Sequence, residues 1–496
     1  MLFNSVDFLM FFPLVLIIYY ILPCRVRQIW LLGASYFFYM NWNMVYGWLL
    51  FAVTLLSYLG ARGIERYGEK NKEGIKKILF TMTLIVNLGA LAFFKYMDFI
   101  CLNINRLFRF LPGEIEFRWE YNIILPVGIS FYVLQSVGYM IDVYRGEERA
   151  ERNFLRYALF VSFFPQLVAG PIERSKNLLN QLKTPQKLTW ENCKRGVWLI
   201  LWGYFLKLVI ADRAAIFVDA VYEQPESYKG VYILVATFLF SIQIYCDFNG
   251  YSTIARGVAL CFGIRLMDNF NAPYLAMSVS EFWRRWHISL TGWFRDYLYI
   301  PLGGNRKGEK RKQLNRLFVF GVSGLWHGAS FSYIVWGILN ALFQSVGDIK
   351  EKGKKRIQNR FPGVLVEQNT FSIRLGKRVI TFLLISFTWI FFRTGDMSDA
   401  LEVLRYAAEP NWIVFFTGAL YKLGIQKDFF HVLLLAISVM FAVDHCKYQG
   451  RDVPKLLSKQ QWWFQSLILL CLVFAILLFG CYGTAYDAAQ FIYFQF

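Results

Sequence analysis

Long stretches without a single charged side chain constrain this sequence more than any other feature. Seven of them stand out, at residues 8–24, 28–61, 78–94, 121–141, 230–246, 317–347 and 461–486. Three shorter and weaker stretches lie at residues 196–206, 379–392 and 429–443. A helix needs about 20 apolar residues to cross the hydrocarbon core of a bilayer, and no soluble fold uses so many such runs. We therefore predict an all-α polytopic membrane protein of about a dozen helices, with a single membrane domain over residues 1–496.

The positive charge of the chain is concentrated between these runs. Lysine and arginine outnumber aspartate and glutamate by 53 to 34, which gives a net charge of +19. The main basic blocks lie at residues 62–77, 306–316, 350–360 and 447–459. Short basic loops stay in the cytoplasm, so we expect these blocks inside the cell and both chain termini outside. We expect the lipid bilayer, and no nucleic acid, as the surroundings of loops held between membrane helices.

One uncharged run carries a histidine in an unusual place. With the topology above, residues 317–347 begin and end on the same side, so the run must dip in and return or cross twice as two short helices. His327 lies in Gly324-Leu325-Trp326-His327-Gly328, eleven residues into the run, and a helix would carry it roughly 16 Å into the bilayer. An ionisable side chain at that depth is costly and is a functional candidate. A neutral core histidine bonded to a backbone carbonyl fits the same pattern.

Polar residues interrupt three other segments. His287 lies between residues 282 and 297, where alternating charges and aromatic rings predict an amphipathic helix at the membrane interface, with tryptophans at headgroup level. Two prolines and a glycine between Phe164 and Arg174 predict a broken helix or a re-entrant turn. The third segment ends an apolar run and holds Gln243, Asp247 and Asn249. Polar packing between helices would explain the second and third segments as well as function does.

Common signatures of soluble enzymes are missing from the sequence. It holds no G-x-S-x-G, no H-E-x-x-H and no Walker phosphate loop. Its eight cysteines form no C-x-x-C pair, so we predict neither a metal site nor a disulfide framework. A histidine base without a paired serine or metal fits direct acyl transfer, in which the base takes a proton from an acceptor hydroxyl that attacks an activated acyl carbonyl.

Five segments, in this order along the chain, resemble the membrane-bound O-acyltransferase family. They are Met1 to Ser5, Phe164 to Arg174, Tyr245 to Ser252, Phe282 to Asn305 and Ser323 to Ala329. The resemblance is strongest to the bacterial branch that O-acetylates alginate or D-alanylates teichoic acids, and the chain length favours the alginate type. It implies a ring of helices in the bacterial cytoplasmic membrane, thinned at its centre. Re-entrant segments and a tunnel would join a cytoplasmic donor site to an outward funnel.

The resemblance also implies roles for individual residues. The catalytic histidine of the family corresponds to His327, and a second polar position of the family corresponds to His287, 40 residues earlier. The residues that we expect to line or order the substrate tunnel are Trp286, Arg295, Asp296, Trp326, Gln243, Asp247 and Asn249. The last six residues resemble a C-terminal tyrosine motif of the D-alanyl transfer system, which makes Tyr493 a candidate acyl relay. The same aromatic residues also suit a belt at the membrane interface.

From this resemblance we predict an O-acyltransferase with acetyl-CoA as donor and no bound cofactor. The acceptor would be a hydroxyl of an extracytoplasmic cell-surface polysaccharide, reached through a secreted or membrane-anchored partner protein. Within the family, the alternative is D-alanyl transfer to teichoic acid from a carrier-protein thioester. From another class, the alternative is a transporter that uses His327 as a proton relay, although we find neither acidic residues within spans nor inverted repeats.

Overall fold

The computed structural model describes residues 1–108, 125–361, 370–409 and 411–482, and within these ranges the regular secondary structure is helical. The chain divides into two compact units. Among the described residues, the first unit comprises Met1–Ile200 and Tyr251–Met267, and the second comprises Leu201–Gly250 and residues 268–482. The single domain over residues 1–496 stays a prediction.

The first unit is built mainly from the N-terminal helices. They are α1 (Val6–Ile21), α2 (Cys24–Met40), α3 (Met44–Glu69), α4 (Glu73–Phe108), α5 (Ile129–Tyr144), α6 (Phe154–Ser162), α7 (Phe164–Leu167), α8 (Ser175–Lys183) and most of α9 (Trp190–Tyr204). The second unit begins at Leu201, within α9, and the chain continues from α9 without a break into a π-helical segment, Phe205–Ala211.

The second unit holds the remaining helices. The α-helices are α10 (Asp212–Tyr222), α11 (Val231–Cys261, which ends in the first unit), α12 (Val279–Arg285), α13 (Ile288–Phe294), α14 (Glu309–His327), α15 (Phe331–Arg360), α16 (Phe371–Thr394), α17 (Met397–Ala407), α18 (Lys427–Tyr448), α19 (Val453–Ser458) and α20 (Trp462–Phe479). A second π-helical segment covers Arg295–Tyr299, and short 3₁₀ turns cover Pro273–Leu275, Trp412–Phe415 and Ala419–Lys422.

The prediction of an all-α membrane protein is confirmed. Six of the described helices are long and apolar enough to cross a membrane, namely α3, α4, α11, α16, α18 and α20. Helix α1 is apolar but shorter, with 16 residues. The run at residues 28–61 predicts two helices, and the chain does divide there into α2 and α3. Asn43 caps α3 because its Oδ1 accepts a hydrogen bond from Val45 N at 2.9 Å.

The segment between Phe164 and Arg174 is a broken helix, as its prolines predict. Helix α6 ends at Ser162, and the four-residue α7 follows it. The side chain of Gln166 donates to the carbonyl of Phe160 at 2.9 Å and to Oε1 of Gln135 at 3.2 Å. These bonds satisfy polar groups that the break exposes inside a buried region, so the packing alternative explains Gln166.

The run at residues 317–347 folds into two antiparallel helices, as a run that returns to its starting side requires. Whether the pair dips into the membrane or crosses it stays a prediction. Helix α14 ends at His327, and α15 starts at Phe331. A Cβ on Gly324 would lie 2.1 Å from the carbonyl oxygen of Tyr333, and one on Gly337 would lie 2.1 Å from that of Phe320. The glycines therefore allow two helix backbones to approach more closely than any side chain would permit. We call this pair the α14–α15 hairpin.

Candidate active site

His327 is the last residue of α14 and lies at the closed end of the hairpin. The N–H of Gly328 donates to the carbonyl of Gly324 at 3.3 Å, and a Cβ on Gly328 would lie 2.1 Å from the ring of Tyr333. Only glycine fits this turn, so the turn fixes where the imidazole can lie. His327 is 4% exposed, which keeps its ring away from bulk water.

Aromatic rings from three helices surround the imidazole of His327. Its centroid lies 4.9 Å from Trp326, 5.2 Å from Trp336 on α15 and 5.3 Å from Phe392 on α16, with interplanar angles of 71° to 88°. Edge-to-face contacts of this kind each contribute about 0.5–1.5 kcal/mol beyond area burial. The indole Nε1 of Trp336 is buried and has no hydrogen-bond acceptor among the described residues. Trp336 and Phe392 were not predicted as site residues, because the sequence around each of them does not differ from that around other core aromatic residues.

His287 lies in the turn between α12 and α13 and is 1% exposed. Its φ of 43° places it in the left-handed region, which is uncommon for a residue other than glycine and costs backbone energy. The adjacent backbone N–H of Ile288 donates to the carbonyl of Asn269 at 2.9 Å. Ser289 Oγ donates to Oδ1 of the same asparagine at 2.6 Å. Asn269 thus holds the strained turn in place.

The prediction of one interfacial helix through residues 282–297 is wrong. The helix breaks at Trp286 and His287, and the tryptophans Trp283 and Trp286 are buried rather than at a headgroup surface. The ring of Trp286 stacks on Phe282 at 5.3 Å and packs 5.1 Å from Trp389. An alternation of charges and aromatic residues could not reveal the break because it needs a left-handed residue that carries a side chain.

The two predicted histidines lie side by side. Their ring centroids are 6.5 Å apart, and Trp326 contacts both, at 4.9 Å from His327 and 6.2 Å from His287. On the other side, the ring of Phe248 on α11 lies 4.7 Å from His287. Burial of the His287 ring favours its neutral form. We call His287 and His327 the histidine pair, and Trp326 is the tryptophan that both of them contact.

The predicted site residues of α11, which are Gln243, Asp247 and Asn249, are also buried. Of these three, Asp247 forms an ion pair. Asp247 lies 2.7 Å from Nζ of Lys207, and this nitrogen also lies 2.8 Å from Asp212. Lys207 and Asp212 were missed in the sequence, although a lysine flanked by apolar residues signals a buried partner. Gln243 and Asn249 are 7% and 9% exposed.

The remaining predicted residues lie elsewhere in the chain. Arg295 and Asp296 form an ion pair with each other at 2.8 Å, in the π-helical segment after α13. The side chain of Arg295 is 66% exposed, in contrast to the buried histidine pair. Tyr493 lies outside the described residues. The catalytic, tunnel and relay roles of all these residues stay predictions.

Comparisons with known proteins find relatives that are named for the transfer of acyl groups. A peptidoglycan O-acetyltransferase from Helicobacter pylori is 35% identical over 437 residues, which cover 82% of this chain and 79% of the relative. A probable alginate O-acetylase from Pseudomonas putida is 34% identical over 512 aligned positions that cover 100% of both chains. A teichoic acid D-alanyltransferase from Bacillus subtilis is 26% identical over 283 residues, which cover 54% of this chain and 72% of the relative.

The family match covers most of the chain, including both residues of the histidine pair. The sequence model described as the membrane-bound O-acyltransferase family matches residues 2–392. Among the described residues, this range includes the rings that contact the histidine pair, from Phe248 on α11 to Phe392 on α16. The chain therefore belongs to the membrane-bound O-acyltransferase family.

Proposed function

We propose that this protein transfers an acetyl group from a cytoplasmic thioester to a hydroxyl of an extracytoplasmic cell-surface polysaccharide. The relatives named for O-acetylation of peptidoglycan and alginate align with four fifths or more of this chain. The D-alanyltransferase aligns with 54% of it, so acetyl transfer has better support than D-alanyl transfer. The transporter alternative gains no support from these relatives, which are all named as enzymes that transfer acyl groups.

The observation that carries this proposal is the buried histidine pair at the closed end of the α14–α15 hairpin. Burial among aromatic rings excludes the water that would hydrolyse a thioester. His327 takes the proton of the acceptor hydroxyl while the hydroxyl oxygen attacks the thioester carbonyl. The C–S bond then breaks, the electron pair leaves with sulfur, and the thiolate takes up the proton. The products are an acetyl ester and a free thiol.

His287 has a different role in this proposal. A neutral imidazole can donate one N–H bond to a carbonyl oxygen that becomes negative in the transition state. The ring centroids of the two histidines lie 6.5 Å apart, which is close enough for both imidazoles to act on one thioester carbonyl. The indole Nε1 of Trp336 is a second candidate donor, because it is buried beside His327 without an acceptor in the described part of the chain.

The proposal includes the parts of the pathway on either side of the histidine pair. Arg295, Asp296 and the polar residues of α11 line or order the route of the donor, which is acetyl-CoA or an acylated carrier protein. The acetyl group reaches the polymer outside through a secreted or membrane-anchored partner. In the relay, the phenol of Tyr493 is the first acceptor hydroxyl and forms an acetyl ester. A second hydroxyl then attacks this ester, takes the acetyl group and releases the phenol, because an ester of a phenol is more reactive than an ester of a sugar hydroxyl. The protein resides in the cytoplasmic membrane with both termini outside.

A set of single variants in a strain that lacks the native copy tests this function. His327→Ala should lower ester-linked acetyl in the surface polymer by about 10²- to 10⁴-fold, because the base is lost. His431→Ala is the matched control, because this histidine on α18 is exposed and outside the site. Tyr493→Phe keeps the ring and should lower acetylation if the hydroxyl carries the acetyl group. Normal acetylation in a normally expressed His327→Ala strain would refute the role of His327.

A further inference from the structure

The end of α18 places three polar side chains on one face of the helix. They are Asp444, Lys447 and Tyr448, and steps of three and four residues bring side chains to the same side of a helix. Helix α18 follows residue 392, where the family match ends. Asp444 is only 5% exposed, and a buried carboxylate is costly unless it is paired or hydrogen-bonded. This face of α18 therefore requires polar partners inside the second unit.

Asp444 is bonded to α11, the helix that contacts His287. The hydroxyl of Tyr245 donates to both carboxylate oxygens of Asp444, at 3.0 and 2.8 Å. The ring of Tyr245 lies 6.1 Å from that of Trp286, the residue before His287. Three residues later on α11, Phe248 lies 4.7 Å from the ring of His287. Through this bond, α18 fixes the side of α11 that packs on the turn at His287.

Lys447 is bonded to a segment of chain that also bonds to the turn at His287. We call residues 268–271 the bridging segment. Nζ of Lys447 donates to the carbonyl of Phe270 at 2.6 Å and lies 3.9 Å from Oδ1 of Asp268. A hydrogen bond from a charged donor is about twice as strong as a neutral one. Lys447 therefore fixes the bridging segment against α18.

The bridging segment bonds to the chain on both sides of His287. Before the histidine, the N–H of Asn271 donates to the carbonyl of Arg285 at 2.9 Å, and Nη1 of Arg285 donates to the carbonyl of Asn271 at 3.1 Å. After the histidine, the N–H of Ile288 donates to the carbonyl of Asn269 at 2.9 Å. A left-handed residue such as His287 persists only where its surroundings fix it. The bridging segment supplies such bonds to the turn.

Tyr448 adds a contact between α18 and α12. Its hydroxyl donates to Oε1 of Glu281 at 3.2 Å, and its ring centroid lies 4.3 Å from the guanidinium of Arg285. Nε of Arg285 donates to the same oxygen of Glu281 at 2.9 Å. A cation over an aromatic ring is attracted by the electrons of the ring face. Tyr448 thus fixes the side chain of Arg285, whose backbone bonds to the bridging segment.

We propose that the end of α18 positions the turn at His287 for acetyl transfer. The positioning residues are Asp444, Lys447 and Tyr448. This inference rests on the proposed function, in which the imidazole of His287 donates to the carbonyl oxygen in the transition state. Such a donor is effective only if it is held in place before the reaction begins. The contacts from α18 to α11, to the bridging segment and to α12 meet this requirement from three sides.

A role in membrane topology is the alternative for Lys447, because it is the first residue of the basic block at residues 447–459. Lys455 belongs to the same block and is exposed. Neutralisation of either lysine removes one charge from the block, so the two variants should behave alike if only topology matters. If Lys447 positions the turn, only its variant should affect His287.

Magnetic resonance of labelled histidines in the full-length protein reports on the turn without any turnover. The protein is labelled with ¹³C,¹⁵N-histidine and placed in bilayers of one lipid composition. The chain contains four histidines, so each set of resonances is assigned from a variant that lacks that histidine. The ring of His287 lies 4.7 Å from Phe248 and 6.2 Å from Trp326. Ring currents therefore make its resonances sensitive to small displacements of the turn.

The main variant is Lys447→Met/Tyr448→Phe, which keeps the lysine stem and the tyrosine ring but removes both donors. Lys447→Met alone is the milder variant, because this side chain is only partly buried. Lys447→Arg is the conservative variant, since a guanidinium can still donate to the carbonyl of Phe270. Lys455→Met is the charge control. Phe430→Leu is the stability control, because it shortens a buried side chain of α18 about 20 Å along the helix from its polar end.

In the main variant, the resonances of His287 should shift or broaden, while those of His431 near the start of α18 should stay unchanged. Acetyl ester in the surface polymer should fall by about 10- to 100-fold at equal protein level, because a misplacement of about 1 Å can cost about 10²-fold in rate. Lys447→Met should change both properties in the same direction, and Lys447→Arg should restore them. Lys455→Met and Phe430→Leu should leave the resonances of His287 and the acetylation unchanged.

Three results would overturn the proposal. They are unchanged His287 resonances in both Lys447→Met variants, an equal change of these resonances in Phe430→Leu, and normal acetylation in the main variant despite shifted resonances. The His287→Gln protein separates this proposal from the proposed function. If that protein acetylates the polymer normally, the role proposed for His287 is wrong, whereas the resonances still show whether α18 fixes the turn.

Discussion

At the scale of single residues, a buried lysine links the site to its surroundings. Lys207 lies within 2.8 Å of both Asp212 and Asp247, and none of the three side chains is more than 5% exposed. Asp247 precedes Phe248, whose ring contacts His287. A Cβ on Gly250 would lie 2.8 Å from the carbonyl oxygen of Gly203 in α9 and 3.1 Å from the backbone nitrogen of Lys207 in the π-helical segment, so α11 packs closely against the backbone of both. The ion pairs fix α11 where Phe248 meets the histidine pair.

This arrangement predicts the effect of removing the lysine. Lys207→Met leaves two buried carboxylates without this cation, and breaking such a pair costs about 3–5 kcal/mol of stability. Lys207→Met/Asp212→Asn/Asp247→Asn should regain much of that loss, because it removes the charges together. Thermal unfolding of the purified protein in one detergent measures both variants. Equal melting temperatures for the single and triple variants would show that the buried charges are not coupled.

At the scale of elements, the hairpin shows which features a sequence can reveal. The basic blocks at both of its ends predict that the run between them returns to its starting side, and the structure confirms two helices there. The position of His327 follows from the same run. The partners of His327 could not be predicted, because Trp336 and Phe392 come from helices whose register depends on tertiary packing. The turn at His287 was missed because a left-handed residue with a side chain has no local sequence signal.

The close contact within the hairpin predicts opposite outcomes for two glycines of α15. A Cβ on Gly337 would lie 2.1 Å from the backbone oxygen of Phe320, whereas one on Gly347 meets no atom within 4 Å. Gly337→Ala should therefore push the helices apart and lower stability, by about 1–3 kcal/mol if the hairpin relaxes. Gly347→Ala should raise stability by up to about 1 kcal/mol, because alanine favours the helix.

Melting temperatures of the two alanine variants, measured side by side with acetyl transfer, decide this point. Gly337→Ala should lose activity together with stability, since the displaced α14 carries His327. If Gly337→Ala kept full activity and an unchanged melting temperature, the close contact between Gly337 and Phe320 would not be what positions His327. Gly347→Ala is the control, because it adds the same methyl group to α15 at a position without a close contact.

At the scale of the whole molecule, the distribution of charge predicts the direction of the reaction. The open end of the α14–α15 hairpin and the turn between α3 and α4 both carry clusters of lysine, and we predict from this charge that both lie in the cytoplasm. The basic residues at 447–459 follow α18, one of the candidate spans. If they too lie inside, the segment before α18 lies outside. A cytoplasmic donor would then enter from the basic side, and the acceptor would meet the histidine pair from the other.

Labelling of single cysteines in intact cells tests this topology. In a cysteine-free background, Lys70→Cys and Lys310→Cys should react with a membrane-impermeant maleimide only after the cells are opened, because both positions belong to basic segments. Thr417→Cys should react in intact cells, since it is exposed and precedes α18. Fusions of a periplasmic reporter to Met1 and Phe496 should both be active, because both termini are predicted outside. Labelling of Lys310→Cys in intact cells would place the open end of the α14–α15 hairpin outside. The direction of transfer proposed above would then be wrong.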